Sequence, residues 1–291
     1  MKQENHAKMS LILSMVIFGT IGIFRKYIPL SSGIVAWVRG VLGVAFLLVF
    51  IKLKNIPMDK GAIKKYLKIL LVSGAFIGLN WVLLFESYRY TSVAVATLCY
   101  YMAPIFVMLA SPVLLKEKLT VKKTICVIVA LIGMVFVSGV LDGGISGISE
   151  LKGILFGLGA AALYASVIMM NQGLREVPTY DKTIMQLGAA ALILLPYILI
   201  VEDLSAVTLT PLIVVMLIIV GVVHTGIAYA LYFGSMNGLK AQTVALFSYI
   251  DPIVAIILSA MFLKESMTFY SIIGAVLVLG ATMISELPEK K

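Results

Sequence analysis

Hydrophobic residues in this chain fall into ten runs of roughly 20 residues, separated by short stretches that hold most of the charged side chains. A helix needs about 20 residues to cross about 30 Å of hydrocarbon, so the runs predict ten membrane-spanning helices. The second, fifth and tenth runs are short, and their ends are the least sharply defined. The runs occupy residues 9–27, 34–51, 67–88, 93–115, 121–139, 153–172, 183–201, 212–234, 241–263 and 269–284.

Composition places the chain in a bilayer. Of its 291 residues 61% are hydrophobic and only 13% are charged, and the mean hydropathy is +1.08. This leaves too little polar surface for a soluble globule of that size. The net charge of +9 does not indicate a nucleic-acid partner, because the basic residues form short clusters between apolar runs instead of one continuous face. The expected surroundings are membrane lipid.

The basic residues also predict the orientation of the chain. Seventeen of the 23 Lys and Arg residues lie on the same side of the membrane as the N-terminus, and five lie on the other side. Since the cytoplasmic side carries the excess of Lys and Arg, we expect both termini in the cytoplasm and a multi-pass protein of the cell membrane. The first run is as long as a full span and is not expected to be a cleaved signal peptide.

The fourth and ninth runs contain the same sequence pattern. Residues 84–120 align with residues 232–268 without a gap at a shift of 148, and 11 of the 37 positions are identical. Shared apolar composition accounts for the leucines, but not for the central prolines, Pro104 and Pro252, or for the shared Leu-Lys-Glu ending. The first and sixth runs follow the same scheme at a shift of 146. The chain is therefore a duplication.

Five spans in each copy require the two copies to insert in opposite orientations. We therefore predict an all-α integral membrane protein with ten transmembrane helices, arranged as two inverted five-helix repeats at residues 1–145 and 146–291. Inverted repeats are typical of transporters, because two similar halves can exchange conformations and open a midplane site to each side in turn. Either a monomer or a homodimer is compatible with this pattern.

Motifs spread along the whole chain carry a family resemblance. They are Phe18-Gly19, Arg39, Pro104, Glu117, Gly226-Ile227-Ala228-Tyr229, Pro252 and Glu265. In this order and at these spacings, they resemble the drug/metabolite transporter superfamily, in particular its EamA-type ten-helix members. The resemblance implies a permease, commonly an exporter, with a central cavity lined by the first, third, fourth, sixth, eighth and ninth spans. Asp251 before Pro252 is similar to the family's frequent Glu-Pro, whereas Ala103 and Glu86 depart from the family pattern.

Asp251 lies near the middle of the ninth run. An ionised carboxylate at that depth is costly unless it faces protein, water or a partner, so we expect it to point inward and to carry a proton or pair with a cationic substrate. Ser248, Asp251, Ala255 and Ser259 share one helical face that suits a cavity wall. Pro252 lacks an N–H, and it should kink the helix and leave the carbonyl of Ser248 without its helical partner. The alternative is that Asp251 only fixes this kink.

Three other polar side chains are candidates for the site. His224 lies at mid-depth, where it can meet Asp251 across a cavity and exchange protons near neutral pH, or it can be a packing residue with satisfied hydrogen bonds. Asn80 is a candidate for a substrate hydrogen bond, because a buried amide needs a partner that a ligand can supply. Asn171 shares a face of the sixth span with Tyr164.

Seven aromatic residues fall within spans, several of them away from the interfacial belts where Tyr and Trp usually gather. They are Trp81, Tyr100, Tyr101, Tyr164, Tyr229, Tyr232 and Tyr249. Around a carboxylate they can hold an organic cation, or an aromatic or zwitterionic amino acid. Interhelical packing is their alternative role, and about half are expected to reach the cavity. The predicted substrate-binding set is Asn80, Trp81, Tyr101, Tyr164, Asn171, His224, Tyr229, Ser248, Tyr249 and Asp251.

Four residues are assigned gating or structural roles: Arg39, Glu86, Pro104 and Pro252. Arg39 lies five residues into the second run, where it can snorkel to the surface or bind an anionic group. Its match to the family favours a structural or gating role. Glu86 and Arg89 lie three residues apart near a span end, and we expect them to form a local ion pair.

The sequence does not indicate a cofactor, a metal site or catalysis. Glycine pairs such as Gly153 and Gly157 predict close approach of helices, and no glycine-rich loop followed by Lys and Ser or Thr occurs, so ATP hydrolysis is not indicated. Cys99 and Cys126 lie in apolar runs and are expected to pack as small hydrophobes. A midplane His and Asp are too few groups for an integral membrane enzyme.

The predicted function is secondary-active transport. We expect an exporter, with import as the alternative direction, of small metabolites such as amino acids, organic cations or drugs, which works by alternating access with proton coupling at Asp251 and His224. Facilitated diffusion without a proton is the alternative. A channel is a further class, but two central proline-bearing helices and the lack of a ring of repeated polar residues argue against it.

Overall fold

The fold is known from a computed structural model that describes residues 2–114, 120–137, 147–204, 207–236, 239 and 241–287. These residues form helices and short connections, with no strand among them. The predicted architecture of ten transmembrane helices in two inverted repeats is confirmed. The predicted repeat boundary between residues 145 and 146 and the family-motif residue Glu117 lie outside the described residues.

The helices follow the predicted runs closely. The first five spans are Lys2–Tyr27, Ser32–Leu53, Lys60–Tyr90, the pair Val93–Tyr100 and Ala103–Leu114, and Val121–Val137. The sixth, seventh and tenth are Ile148–Gln172, Thr179–Val201 and Phe269–Glu286. The eighth is Pro211–Ile218, a π-helix at Ile219–Ile227, and Ala228–Met236, and the ninth is Ala241–Ser248 and Ile250–Phe262. Seven of the ten crossings within the described residues are, by length and composition alone, long and apolar enough to cross a membrane.

The third span begins with polar turns that the hydrophobic pattern does not include. The third helix starts at Lys60, where the side chain of Asp59 accepts a hydrogen bond from the Ala62 N–H and caps the helix. Lys65, in its second turn, lies 2.7 Å from a carboxylate oxygen of Glu176 in the loop after the sixth span. Hydrogen bonds from the side chains of Lys65 and Tyr66 lower the pKa of Glu176. These turns extend the helix beyond the apolar run.

The fourth and ninth spans are both interrupted, and each interruption lies just before a proline. The fourth breaks at Tyr101 and Met102, next to Pro104, and the ninth breaks at Tyr249, next to Pro252. Because proline has no N–H to donate to the carbonyl four residues earlier, the helical ladder cannot run through these positions. The kink predicted at Pro252 is therefore confirmed, and the fourth span has a corresponding break before Pro104.

The helix neighbours show the internal symmetry of the fold. The third span packs on the sixth and seventh, and the equivalent eighth span packs on the first and second. The fourth contacts the sixth, and the equivalent ninth contacts the first. Three further contacts are each mapped onto themselves when the two repeats are exchanged. They join the second span to the seventh, the fourth to the ninth and the fifth to the tenth. A pseudo-two-fold axis therefore passes between the members of these three pairs.

Glycines allow the tightest of these contacts. A Cβ atom on Gly19 would lie 2.6 Å from the carbonyl oxygen of Asp251, so the first and ninth spans can approach this closely only with glycine there. On the sixth span, Gly157 meets Cys99 of the fourth span in the corresponding way. The prediction that these glycines allow close helix packing is confirmed.

Candidate substrate-binding cavity

A cavity of about 510 Å³ lies between the two repeats, within the size range of small-molecule sites. It is lined by the six spans that the family resemblance implies and, in addition, by Arg39 of the second span. Eight of the ten predicted substrate-binding residues lie in its wall. They are Asn80, Trp81, Tyr101, Tyr164, Tyr229, Ser248, Tyr249 and Asp251.

Asp251 links the break of the ninth span to the break of the fourth span. Its Oδ2 atom lies 2.9 Å from the hydroxyl of Tyr101, at the break in the fourth span. The same hydroxyl lies 3.2 Å from the carbonyl oxygen of Ser248, which is the carbonyl that Pro252 leaves without a helical donor. Because a tyrosine hydroxyl has one proton, it donates fully to one of these two oxygens at a time. The free acceptor predicted at Ser248 therefore has its donor in the opposite repeat.

The helix break also places Asp251 in the first turn of the second half of its span. The N-terminal turn of a helix carries N–H groups that point along the axis, and its dipole interacts favourably with a carboxylate. Asp251 is partly buried in the cavity wall. Asp251 therefore points inward, as expected. The break that kinks the helix also provides the N-terminal turn in which the carboxylate lies.

Arg39 is held inside the bundle and does not snorkel to the surface. Its Nε atom donates a hydrogen bond of 2.8 Å to the hydroxyl of Thr225, and its guanidinium carbon lies 4.0 Å from the centre of the Trp81 ring. Thr225 belongs to the π-helix of the eighth span, and its hydroxyl lies 3.1 Å from the carbonyl oxygen of Val220. Arg39 and Asp251 are the two charged side chains in the described wall of the cavity.

All seven aromatic residues predicted within the spans line the cavity, which is more than the half expected. Tyr100 and Tyr164 stack with ring centres 5.3 Å apart, and Tyr229 lies 5.4 Å from Phe18. These contacts join the fourth span to the sixth and the eighth to the first. The rings therefore pack between helices and present surface to the cavity at the same time.

Asn80 reaches the cavity with its amide already bonded to protein. Its Nδ2 atom donates to the carbonyl oxygen of Ala160 at 2.5 Å, and its Oδ1 atom lies 3.5 Å from the hydroxyl of Tyr100. One N–H of the amide is thus committed to the contact between the third and sixth spans. The second N–H of the amide and Oδ1, whose contact to Tyr100 is long, are the groups of Asn80 that can bond to a ligand.

Two of the predicted substrate-binding residues, His224 and Asn171, do not line the cavity. His224 is 1% exposed, and its Nε2 atom lies 2.7 Å from the Thr20 hydroxyl of the first span. The expected meeting of His224 with Asp251 is not made. His224 lies in the π-helix, and the wider turns of that helix place its side chain on a different face from the one a regular α-helix would give. Asn171 accepts a hydrogen bond from Gln186 at 2.8 Å.

The structure also adds residues that the sequence analysis did not select. Tyr88 and Thr97 line the cavity. Tyr88 lies seven residues after Trp81, and Thr97 lies four before Tyr101 and seven before Pro104. Residues at these spacings share a helical face, so extending the faces of Trp81 and Tyr101 outward would have found both.

At the end of the cavity near Arg39, polar contacts join the ends of three spans, and we call this set of contacts the closure. We call the side of the bundle that carries the described chain ends, Lys2 and Leu287, the terminal face, and the other side the opposite face. On the opposite face, Glu265 accepts hydrogen bonds from the Val93 N–H at 2.8 Å and from the Ser259 hydroxyl at 2.6 Å. Lys26 lies 3.6 Å from the same carboxylate. One acid thus ties the ends of the first, fourth and ninth spans together.

Near this closure, the ion pair expected between Glu86 and Arg89 is present, with a distance of 2.9 Å. Ser259 bonds to Glu265, so it belongs to the closure. Ser248 and Asp251, from the same predicted stripe, line the cavity. The stripe on the ninth span is therefore divided between the site and the closure.

Comparison with known proteins identifies the family of this bundle. The model of the EamA-like transporter family matches two segments, residues 7–139 and 151–286, one in each half of the chain. The chain belongs to the EamA-like transporter family. Its relatives include the uncharacterized transporter YxxF of Bacillus subtilis, which is 30% identical over 289 residues, covering 98% of this chain and 90% of the relative.

A second relative is an uncharacterized transporter of Archaeoglobus fulgidus, 26% identical over 282 residues, which cover 96% of each chain. A solved crystal structure matches the fold with a TM-score of 0.65 at 18% identity, covering 96% of each chain. At that identity the likeness concerns the fold alone. The family membership makes this chain a multi-pass membrane transporter.

Proposed function

We propose that this EamA-type protein is a secondary transporter that exports a small polar or amphiphilic metabolite, such as an amino acid, an organic cation or a drug. The observation that carries the proposal is the position of Asp251. It stands in the wall of the central cavity and bonds to Tyr101 at the matching break of the other repeat. An acid at this depth and in this contact can sense both a ligand and the arrangement of the two halves.

Protonation of Asp251 is the proposed coupling step. The ionised carboxylate accepts the hydrogen bond of Tyr101, whereas the protonated group can donate and so release the Tyr101 hydroxyl to the Ser248 carbonyl. The contact between the fourth and ninth spans therefore depends on the proton. A cationic group on the substrate competes with the proton for the same carboxylate, which supports exchange of one for the other. Arg39 is the other charged group of the described wall.

The direction of transport is inferred from the closed end of the cavity. We place both termini in the cytoplasm, because the terminal face carries the large excess of basic residues. In that orientation, the closure around Glu265 faces outward, and the cavity extends toward Tyr232 and Val244 on the cytoplasmic side. This conformation favours loading from the cytoplasm. The repeats would then exchange conformations to release the substrate outside.

The test is transport in proteoliposomes. Substrates are first selected by thermal stabilisation of the purified protein with amino acids, nucleosides and quaternary amines. A transporter gives saturable flux with trans-acceleration and an unaltered product, a channel gives no trans-acceleration, and an enzyme alters the compound. An imposed pH gradient should drive flux in the wild type.

The matched variants decide the coupling. Asp251→Asn should retain counterflow and lose the response to the pH gradient. Glu176→Gln is the control, because Glu176 is an exposed acid paired with Lys65 far from the cavity, and it should behave as the wild type does. Wild-type flux that ignores the gradient would show a facilitative uniporter and refute proton coupling.

A further inference from the structure

Arg39 is a buried cation that no described carboxylate neutralises. The residue is 5% exposed, and the ion pairs among the described residues involve other basic residues, namely Lys8, Lys26, Lys65 and Arg89. An uncompensated charge inside a membrane bundle is costly, and such residues normally serve a site or a pathway. The cavity that Arg39 lines is the place from which a neutralising anion can come.

The guanidinium group is held so that one edge remains available. Its Nε atom is bonded to Thr225, and one face of its plane lies against Trp81, with Phe85 5.9 Å from the guanidinium carbon. Its Nη1 and Nη2 atoms form no hydrogen bond with a described residue. Two parallel N–H groups on a fixed plane match the two oxygens of a carboxylate.

Thr225 is the positioning residue for this edge. Its hydroxyl is held by the carbonyl of Val220 within the π-helix, and it receives the Nε proton of Arg39. A methyl on Gly43, next to this pair, would collide with the Thr225 side chain. The second and eighth spans are therefore packed so closely here that the guanidinium has little freedom to turn.

We propose that the Nη edge of Arg39 is the subsite for a carboxylate group of the substrate. The inference rests on the proposed transport function, whose cavity it completes. A single carboxylate neutralises Arg39, whereas a doubly charged phosphate would leave excess negative charge in a cavity that also holds Asp251. With Asp251 receiving a cationic group, the two charged residues select a zwitterion. The aromatic side chains of the cavity wall pack against the apolar part of the zwitterion.

Four probes with one phenyl skeleton separate these contributions. Phenylalanine carries an amine and a carboxylate, phenylalaninamide only the amine, hydrocinnamate only the carboxylate, and hydrocinnamide neither. Their apparent Kd values are measured by thermal stabilisation of the purified full-length protein. Each acid should bind at least about tenfold tighter than its amide, as a charged hydrogen-bonded pair predicts. Phenyl phosphate is the fifth probe and should bind more weakly than hydrocinnamate.

Variants assign the preference to Arg39. Arg39→Gln should remove the difference between acid and amide, and Arg39→Lys should keep only part of it. Thr225→Val should also reduce the difference in Kd between acid and amide. This second variant keeps the test valid if Arg39→Gln does not fold. Asp251→Asn should leave the acid preference and remove the preference for the amine. Arg89→Gln is the matched control, because Arg89 is an exposed arginine paired with Glu86, and its ratios should equal those of the wild type.

Several outcomes would overturn the carboxylate subsite. They are equal binding of acid and amide by the wild type, a preference that survives Arg39→Gln, tighter binding of phenyl phosphate, and no binding of any probe. Counterflow of the bound probe separates this inference from the proposed function. Acid-selective binding without counterflow refutes transport and retains the subsite. Counterflow of a substrate without any acid preference refutes the subsite alone.

Discussion

Tyr101 and Tyr249 occupy equivalent positions in the two repeats, and each stands at the break of its span. Their backbone angles nearly coincide, with φ −72° and ψ 3° at Tyr101 and φ −74° and ψ −6° at Tyr249. Their rings lie 6.1 Å apart. The repeats therefore meet break to break at the cavity. Only one break carries an acid, because Asp251 corresponds to Ala103, so a symmetric scaffold holds an asymmetric site.

Tyr101→Phe tests the bond across this pair. The change removes the donor to Asp251 and Ser248 and should lower the free energy of unfolding by about 1–3 kcal/mol, with slower counterflow. Both are measured on purified protein, by thermal unfolding and in proteoliposomes. Tyr270→Phe is the control, because the Tyr270 side chain is 41% exposed on the tenth span. Equal stability and flux in the two variants would contradict the role given to Tyr101.

His224→Gln separates packing from proton coupling. His224 bonds to Thr20 and contacts Phe24, with ring centres 4.9 Å apart, so it joins the eighth span to the first. The variant should unfold at a lower temperature, because the contact to the Phe24 ring is lost. Its flux should still respond to a pH gradient, since the imidazole does not line the cavity. A loss of the response to the pH gradient at unchanged stability would show that His224 takes part in proton coupling.

Much of the fold followed from local sequence. Run length predicted the spans, and Pro252 predicted the break in the ninth span and the free carbonyl of Ser248. These features depend on each segment alone, because a missing N–H interrupts its own helix whatever surrounds it. The inward position of Asp251 also followed from the cost of exposing a carboxylate to lipid.

The rest of the site depends on contacts between distant segments. The stacking of Arg39 on Trp81 requires the register of the second, third and eighth spans, which hydrophobic periodicity does not encode. The π-helix has a similar effect, because each turn spans more residues than an α-helical turn. His224 was therefore placed on the wrong face, whereas Tyr229, two residues beyond the π-helix, reached the predicted cavity.

Glu265→Gln should loosen the closure of the opposite face. The amide loses the charge that attracts Lys26, and its interactions with the Val93 N–H and the Ser259 hydroxyl weaken. The measurement is labelling of Thr97→Cys, a cavity position, by a membrane-impermeant thiol reagent. The background lacks Cys99 and Cys126. Labelling from the opposite face should be faster in the variant than in the parent.

Glu202→Gln is the matched control for this closure, because Glu202 follows the seventh span on the same face and does not take part in the Glu265 contacts. It should leave the labelling rate unchanged. Equal rates in the Glu265 variant, its control and the parent would mean that the acid does not hold the closure.

Gly274→Ala should destabilise the packing of the fifth span on the tenth. An added Cβ would lie 2.6 Å from the carbonyl oxygen of Gly133 and 2.8 Å from the backbone nitrogen of Val137. Since both are backbone atoms, the helices must separate, and overpacking of this kind costs about 1–3 kcal/mol. Gly280→Ala on the same helix is the control, because, outside its own helical turn, no atom of the described residues lies within 4 Å of its added Cβ.

The control should be neutral or slightly stabilising, since alanine favours a helix over glycine by up to about 1 kcal/mol. Thermal unfolding of both purified variants measures the difference. The fifth and tenth spans do not line the cavity, so probe binding should be unchanged in both variants at temperatures where they are folded. If Gly274→Ala and Gly280→Ala unfold at the same temperature, the packing of the fifth span on the tenth does not depend on the close approach of Gly133 and Gly274.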